Sequence, residues 1–303
     1  MKTNNTFIIV TWNNEKQILP LLKSIKKFEK NSEIIVVDNA SKDKTTEIIK
    51  KNYTDVEIIE NNKNIGFAKA NNIAVSMAKT KYLTFLNPDV ELKMPIISKL
   101  IEDLDTPDIG IVGGKLINRD GSLQPSIFKF QTFFSILIEQ FHIGKLMPEF
   151  LKKKYSPENS KHNEKECVDW LVGAFYFTTR ELYTKVEGFS EEYFLYSEDM
   201  DLCYKYHLID KKVLFDPSIE VMHSGGTSEK QDMSASRSEK LIRSFIKFAQ
   251  KYDYPANITA LKISYTVKLL ITKIISNFNK KHYKDVKRYK KILKELKGVK
   301  NDS

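Results

Sequence analysis

Hydrophobic positions in the first 90 residues fall into short β-branched runs separated by stretches of helical period. The runs are FIIVT (7–11), EIIVV (33–37), VEIIE (56–60) and YLTFL (82–86), and helices are predicted at about 15–29, 42–51 and 67–78. Strand alternating with helix is the rhythm of βαβ units, and near-continuous apolar runs are those of parallel strands covered on both faces. Such sheets bind ligands at the carboxyl ends of their strands, so function is expected just after residues 11, 37, 60 and 86.

Those ends read Thr11-Trp12-Asn13-Asn14, Asp38-Asn39-Ala40-Ser41, Asn61 through Gly66-Phe67, and Asn87-Pro88-Asp89. Asn and Asp also satisfy backbone groups in turns, so each has a purely structural reading. Their joint position at one edge of one sheet makes them a candidate site. From about 109 the pattern changes: IGIVGGKLI, a turn at Asn118-Arg119-Asp120-Gly121, an apolar and aromatic stretch at 127–141, and a Lys-rich segment at 145–165. This middle part reads as a loop-rich insert over the sheet edge. A second informative block runs from Asp169-Trp170 to Gly225-Gly226, with a strand at 174–178, SEDMDL opening a helix, and strands near 213–216 and 219–222.

Composition sharpens this picture. The 303 residues are 41% hydrophobic and 29% charged, and a mean hydropathy of −0.39 excludes a polytopic membrane protein. Cys167 and Cys203 lack metal spacing and read as buried thiols of a reducing compartment. The N-terminal segment has only four consecutive apolar residues, too few for a signal peptide, so a cytoplasmic location is expected. The net charge of +10 is unevenly placed: 1–250 hold 35 basic and 35 acidic residues, whereas 251–303 hold 14 and 4. A neutral body carries a basic tail.

Absences narrow the chemistry. There is no GxGxxG after the first strand, no GxxxxGK[ST], no GxSxG and no HExxH, which removes dehydrogenase, P-loop and serine-hydrolase readings. A nucleotide bound without a Gly-rich loop calls for a divalent metal held by carboxylates, and Asp89 is the natural candidate.

The motifs VTWN, VVDNAS, NIGFAKANN, FLNPDV, the DWLVGAFYFTTRELYTKVEGFSEEYFLYSEDMDLC block and HSGG together resemble the inverting glycosyltransferases of family 2, over roughly residues 6–228. NPDV in place of Asp-x-Asp resembles the bacterial subgroup containing rhamnosyltransferases. The resemblance implies a GT-A fold, an α/β architecture with a mixed, mainly parallel sheet and helices on both faces, over 1–235, with a helical basic tail at 236–303. It implies that Thr11 and Asn13 flank the nucleobase and ribose, and that Asp38 accepts from a pyrimidine N3–H, with Asn39 beside it. A carboxylate accepts from an imide, so uracil or thymine fits; Asp38 and Ser41 equally suit the start of the following helix. Gly66, Phe67 and Asn71 resemble the second donor segment, with Asn87 on the third. Asp89 and His223 are the implied metal ligands, for Mn²⁺ or Mg²⁺, although a lone His after a strand also reads as structural. Arg237 is a candidate to neutralise the leaving diphosphate, with an exposed helix face as its other reading. Asp199 is the implied general base, Glu198 a neighbour that orients the acceptor, and Trp170 and Gly173 the acceptor-side wall. Acids in the first helical turn are also favoured by the helix dipole alone.

The expected activity is transfer of one sugar, rhamnose leading, from a dTDP- or UDP-sugar to a hydroxyl of a growing cell-surface glycan, lipid-linked acceptors included. QxxRW, a mark of processive synthases, is absent. A sugar-phosphate nucleotidyltransferase and a non-catalytic membrane-surface protein are the alternatives. In the tail, Ile263, Val267, Leu270, Ile271, Ile274 and Phe278 share one helical face, with Lys262, Thr266, Lys273, Asn277 and Lys280 opposite. This pattern, followed by 10 basic against 3 acidic residues in 279–303, points to an anionic membrane surface on the inner face of the cell membrane. Packing on the catalytic domain or in a homodimer is the other reading, and nucleic acid is not an expected partner.

Overall fold

The computed structural model describes residues 4–148, 151, 162–225 and 237–298. Every residue of the first strand, β1 (Asn5–Thr11), is buried. Because side chains alternate along a strand, Phe7 and Ile9 enter one hydrophobic core while Ile8 and Val10 enter another. One face is covered by α1 (Ile18–Phe28), whose Ile18, Leu21, Leu22 and Ile25 form a single helical stripe. The β2 strand (Glu33–Asp38) repeats the alternation, with Ile34 and Val36 on the α1 side and Ile35 and Val37 on the other.

The elements that follow are α2 (Thr45–Asn52), β3 (Glu57–Glu60), α3 (Phe67–Met77), β4 (Tyr82–Leu86), β5 (Val90–Leu92), α4 (Ile97–Leu104), β6 (Ile109–Ile117), β7 (Leu123–Gln124), β8 (Ile127–Phe128) and α5 (Phe133–Gln140). Further along the chain come β9 (Glu166–Val168), β10 (Trp170–Leu171), β11 (Phe175–Thr179), α6 (Arg180–Lys185), α7 (Glu198–Leu208) and β12 (Lys212–His223). The main sheet runs β3-β2-β1-β4-β11-β6-β12-β5, with β7 on β6 and β9 on β12. Its first four strands are parallel. β11 enters antiparallel to both β4 and β6, which makes the sheet mixed. The alanine-rich face of α3 and residues Leu202, Cys203 and Tyr206 of α7 cover the second face.

Three details depart from the sequence reading, the first being that Cys167, expected to be buried like Cys203, is exposed on β9. The pair of strands near 213–216 and 219–222 is one strand, β12, with a register shift between Asp216 and Glu220. The stretch at 127–141 is not a loop-rich insert: it contains β8 and the capped helix α5, whose Thr132 side chain accepts from the Ser135 N–H.

The chain divides into two compact units, 1–128 with 160–234, and 129–159 with 235–303, so the second unit includes the middle segment as well as the tail. The tail forms α8 (Arg237–Lys251), α9 (Pro255–Phe278) and α10 (Tyr283–Lys297). Within this unit Ile136 of α5 packs with Ile242, Ile246, Leu261, Tyr265 and Ile292 in a core of its own. Arg243 forks onto Glu295, tying α8 to α10.

Candidate active site

The loops leaving β1 and β2 are lashed together. Asn13 adopts a left-handed conformation, its N–H donates to Ser41 Oγ at 2.8 Å, and its Oδ1 accepts from the Lys42 N–H at 2.7 Å. Asn14 is buried and accepts from Thr11 Oγ1 and the Trp12 N–H. Asp38 is buried and accepts from both the N–H and the hydroxyl of Ser41. Burial pushes its carboxyl above the ordinary range, against those hydrogen bonds. The adjacent Asn39 donates from Nδ2 to the Gly66 carbonyl at 3.1 Å and accepts from Asn61 at 2.9 Å.

A cavity of about 220 Å³ opens at this edge of the sheet. Of the residues singled out from the sequence, Thr11, Asn39, Gly66, Phe67, Asn87, Gly173, Glu198 and Asp199 line it. Asn13 and Asp38 are not among its lining residues and lie in the loops just described. Asn71 is turned into its own helix, donating to the Phe67 carbonyl. Trp170 stacks on Phe128 with ring centroids 4.7 Å apart. Arg237 opens α8, and its side chain lies outside the described residues.

Gly66 has φ +88°, and a Cβ there would come within 3.0 Å of the Phe194 carbonyl oxygen, so this close approach requires glycine. The carbonyl of Phe194 also accepts from the Phe67 N–H. Phe194, Leu195 and Tyr196 thereby form a cavity wall to which the sequence reading gave no role, while Trp12 and Asn64, which also line it, lie in the strand-end segments it singled out. Tyr196 and Ser197 both carry positive φ, and this costly turn delivers the chain into the acid pair.

Glu198 and Asp199 open α7. Asp199 Oδ1 accepts from the Met200 N–H at 2.8 Å and Oδ2 from the Gly173 N–H at 3.2 Å. A Cβ on Gly173 would lie 3.2 Å from that of Asp199, so Gly173 makes room for the acid as well as donating to it. Glu198 is buried, and its Oε2 has no hydrogen-bond partner. Burial raises both carboxyls, Glu198 further because the Asp199 charge adds to it. A carboxylate held by backbone donors in a cavity wall can take a proton from a bound hydroxyl.

Asp89 and His223 come together where two strand ends meet. Asp89 follows β4, and β12 ends at His223 paired with Val90 of β5. His223 Nε2 stands 3.2 Å from Asp89 Oδ1, with both side chains buried. Two ligands of one octahedral ion with bonds of about 2.1 Å sit about 3 Å apart, so the pair fits a shared divalent cation. No group of three His, Cys, Asp or Glu side chains that could hold a metal occurs among the described residues. A cation here would complete its coordination with phosphate oxygens and water, the usual arrangement for phosphate-bound Mg²⁺. The other ring nitrogen, Nδ1, is 2.7 Å from Gln124 Oε1.

A mainly parallel sheet flanked by helices, with amides, an acid–imidazole pair and a carboxyl pair gathered at its carboxyl edge, defines a GT-A-like fold. Residues 6–204 match the model of Glycosyl transferase family 2, and the chain belongs to that family. It is 28% identical to rhamnosyltransferase WbbL of Escherichia coli K12 over 71% of this chain and 81% of the relative. It is 26% identical to an N-acetylglucosaminyl-diphospho-decaprenol L-rhamnosyltransferase of Mycobacterium tuberculosis over 67% and 70%. The crystal structure of GalNAc-T7 with UDP, GalNAc and Mn²⁺ shares the fold, with a TM-score of 0.54 at 18% identity over 72% of this chain and 42% of that one.

Proposed function

We propose that this glycosyltransferase moves one sugar, with inversion, from a UDP- or dTDP-sugar to a hydroxyl of a growing cell-surface glycan, with rhamnose as the donor sugar. The observation that carries the reading is Asp199, a half-buried carboxylate fixed by the Gly173 and Met200 N–H groups in the wall of a cavity at the sheet's carboxyl edge. In the transfer step Asp199 takes the acceptor hydroxyl proton, the acceptor oxygen bonds to the anomeric carbon, and the bond from that carbon to the diphosphate breaks. Glu198, pushed above the ordinary carboxyl range by burial and by the Asp199 charge, hydrogen-bonds the acceptor. Asp89 and His223 would hold a divalent cation, which supplies charge neutralisation for the leaving diphosphate. Asp38, oriented by Ser41, keeps lone pairs for a uracil or thymine N3–H, and Asn39 and Asn87 serve the donor from the cavity wall.

Similarity to two rhamnosyltransferases supports the sugar, and the N-acetylglucosaminyl-diphospho-decaprenol acceptor of the mycobacterial relative supports a lipid-diphosphate-linked acceptor. A membrane-borne acceptor fits the surface of α9. Ile263, Leu270, Ile271, Ile274 and Phe278 are exposed, Ile274 at 63% and Phe278 at 88%. They lie on one face of the helix, with Lys262 and Lys273 on its flank, and α10 adds a lysine-rich helix after it. No described helix is long and apolar enough to cross a membrane; in this reading the α9 face lies along the inner leaflet.

The test of the donor is thermal stabilisation in Mn²⁺ by UDP, dTDP and GDP, since a ligand that binds only the folded state raises the melting temperature. UDP or dTDP should stabilise and GDP should not. Stabilisation by GDP alone overturns the pyrimidine reading.

A further inference from the structure

The hairpin formed by β6 and β7 has no part in the transfer chemistry, yet its last residue reaches the acid–imidazole pair. Register places Gln124 opposite Leu116 on β6, and β6 runs beside β12, which ends at His223. Gln124 Oε1 lies 2.7 Å from His223 Nδ1. The hairpin grips the same strand end twice more. Arg119 Nε donates to Ser224 Oγ at 2.9 Å. Gly225, at φ +66°, passes so close that a Cβ there would lie 3.0 Å from Gln124 Nε2. The Ser224 N–H in turn donates to the Asp89 carbonyl at 3.1 Å, which closes a ring of contacts around the pair.

An amide oxygen only accepts, so a nitrogen facing it carries the proton. We propose that Gln124 is a positioning residue that fixes the His223 tautomer: its carbonyl holds the proton on Nδ1 and leaves the Nε2 lone pair facing Asp89, ready for a divalent cation. Without this acceptor the Asp89 carboxylate, 3.2 Å from Nε2, is the acceptor left at the ring and draws the proton to Nε2, which blocks that nitrogen as a cation ligand. Partners on the second nitrogen of a ligating histidine set its orientation and basicity in this way. The inference rests on Asp89 and His223 being the cation's protein ligands, and the experiment separates the two ideas.

Mn²⁺ affinity, measured with UDP by electron paramagnetic resonance of free Mn²⁺, is compared for the intact protein, Asp89→Asn, His223→Ala, Gln124→Leu and Gln124→Glu. Nitrogen-15 spectra of the histidine ring at pH 8 report the tautomer directly and without metal. The expected result is a 10- to 100-fold loss for Gln124→Leu, the range that removal of such partners produces. Gln124→Glu, which also accepts from Nδ1–H, should keep affinity at or above that of the unaltered protein. The ring should be Nδ1-protonated in the unaltered protein and in Gln124→Glu, and shifted toward Nε2 protonation in Gln124→Leu. If Asp89→Asn and His223→Ala lose Mn²⁺ while Gln124→Leu does not, the role of Gln124 is overturned and the cation site stands. If neither ligand variant changes the affinity, both fall. A ring protonated on Nε2 in the unaltered protein overturns the proposal even if Gln124→Leu does not fold.

Discussion

Replacing Asp199 by asparagine separates chemistry from architecture, and its cost can be worked from two hydrogen bonds. The carboxylate accepts at Oδ1 from Met200 at 2.8 Å and at Oδ2 from Gly173 at 3.2 Å. Asparagine has one oxygen. Keeping it on the shorter bond turns the amide nitrogen toward the Gly173 N–H, two donors face to face, and an unsatisfied buried donor costs about 1–3 kcal/mol. Against this, the variant no longer buries a charge whose carboxyl is already raised by desolvation, so the net loss of stability should be at most about 1–2 kcal/mol, with the fold intact. The kinetic loss is larger: removing a general base lowers turnover by about 10²–10⁴-fold, or about 3–5 kcal/mol at 1.4 kcal/mol per decade. Donor affinity should be nearly unchanged, because the residues assigned to the nucleotide and cation lie on other loops. Transfer would be followed by nucleoside diphosphate release and donor binding by calorimetry, alongside Glu198→Gln. Near-normal turnover in Asp199→Asn with none in Glu198→Gln moves the base one residue back. Normal turnover in both reduces the acid pair to a favourable helix start and refutes the mechanism.

Further outcomes follow from the same geometry. Because the Glu198 carboxyl is raised, the folded protein binds that proton more tightly than the unfolded chain, and stability is lost as pH rises through the raised value. Glu198→Gln should therefore melt above the parent at pH 8, with the gap closing below about pH 4.5, the group's ordinary value; a constant gap refutes the cause. Transfer should fall as acid protonates Asp199, with its midpoint above the ordinary aspartate value of 3.8. An Ile274→Glu, Phe278→Glu double variant should fold normally, since both side chains are exposed, and should bind anionic vesicles at least tenfold less, about 1.4 kcal/mol. Unchanged co-sedimentation, or a change only in oligomeric state by ultracentrifugation, makes the face a protein contact instead.

The parts of the fold legible in the sequence are those set by local periodicity. Phe7, Ile8, Ile9 and Val10 read as a strand because all four are apolar, and each pair of alternate residues meets its own core. The helix at 133–140 was not legible because Ile136 finds its partners at Leu261 and Ile292, more than a hundred residues away, and no local signal announces such a core. The wall of Phe194 and Tyr196 was hidden for a similar reason. It depends on left-handed turns at Tyr196 and Ser197, which bulky residues rarely adopt and whose only trace is an aromatic cluster just before the acid pair.

The candidate site was legible as a set of loops and not as a set of side chains. Asn and Asp both recognise ligands and tie turns, with the same atoms. Asn13 and Asn39 look alike in sequence, yet Asn13 binds the neighbouring loop while Asn39 reaches the cavity wall. Both side chains tie to a neighbouring segment, and the difference lies in Asn13's left-handed backbone and in which segment takes the hydrogen bonds, both of which depend on tertiary structure. Gln124 carries this furthest. A glutamine in a two-residue strand has no sequence signature, and only the alignment of β7, β6 and β12 brings it within 2.7 Å of His223. Residues that touch a ligand recur at strand ends and can be sought there, whereas residues that hold the ligand's partners in place become visible only once the strands are paired.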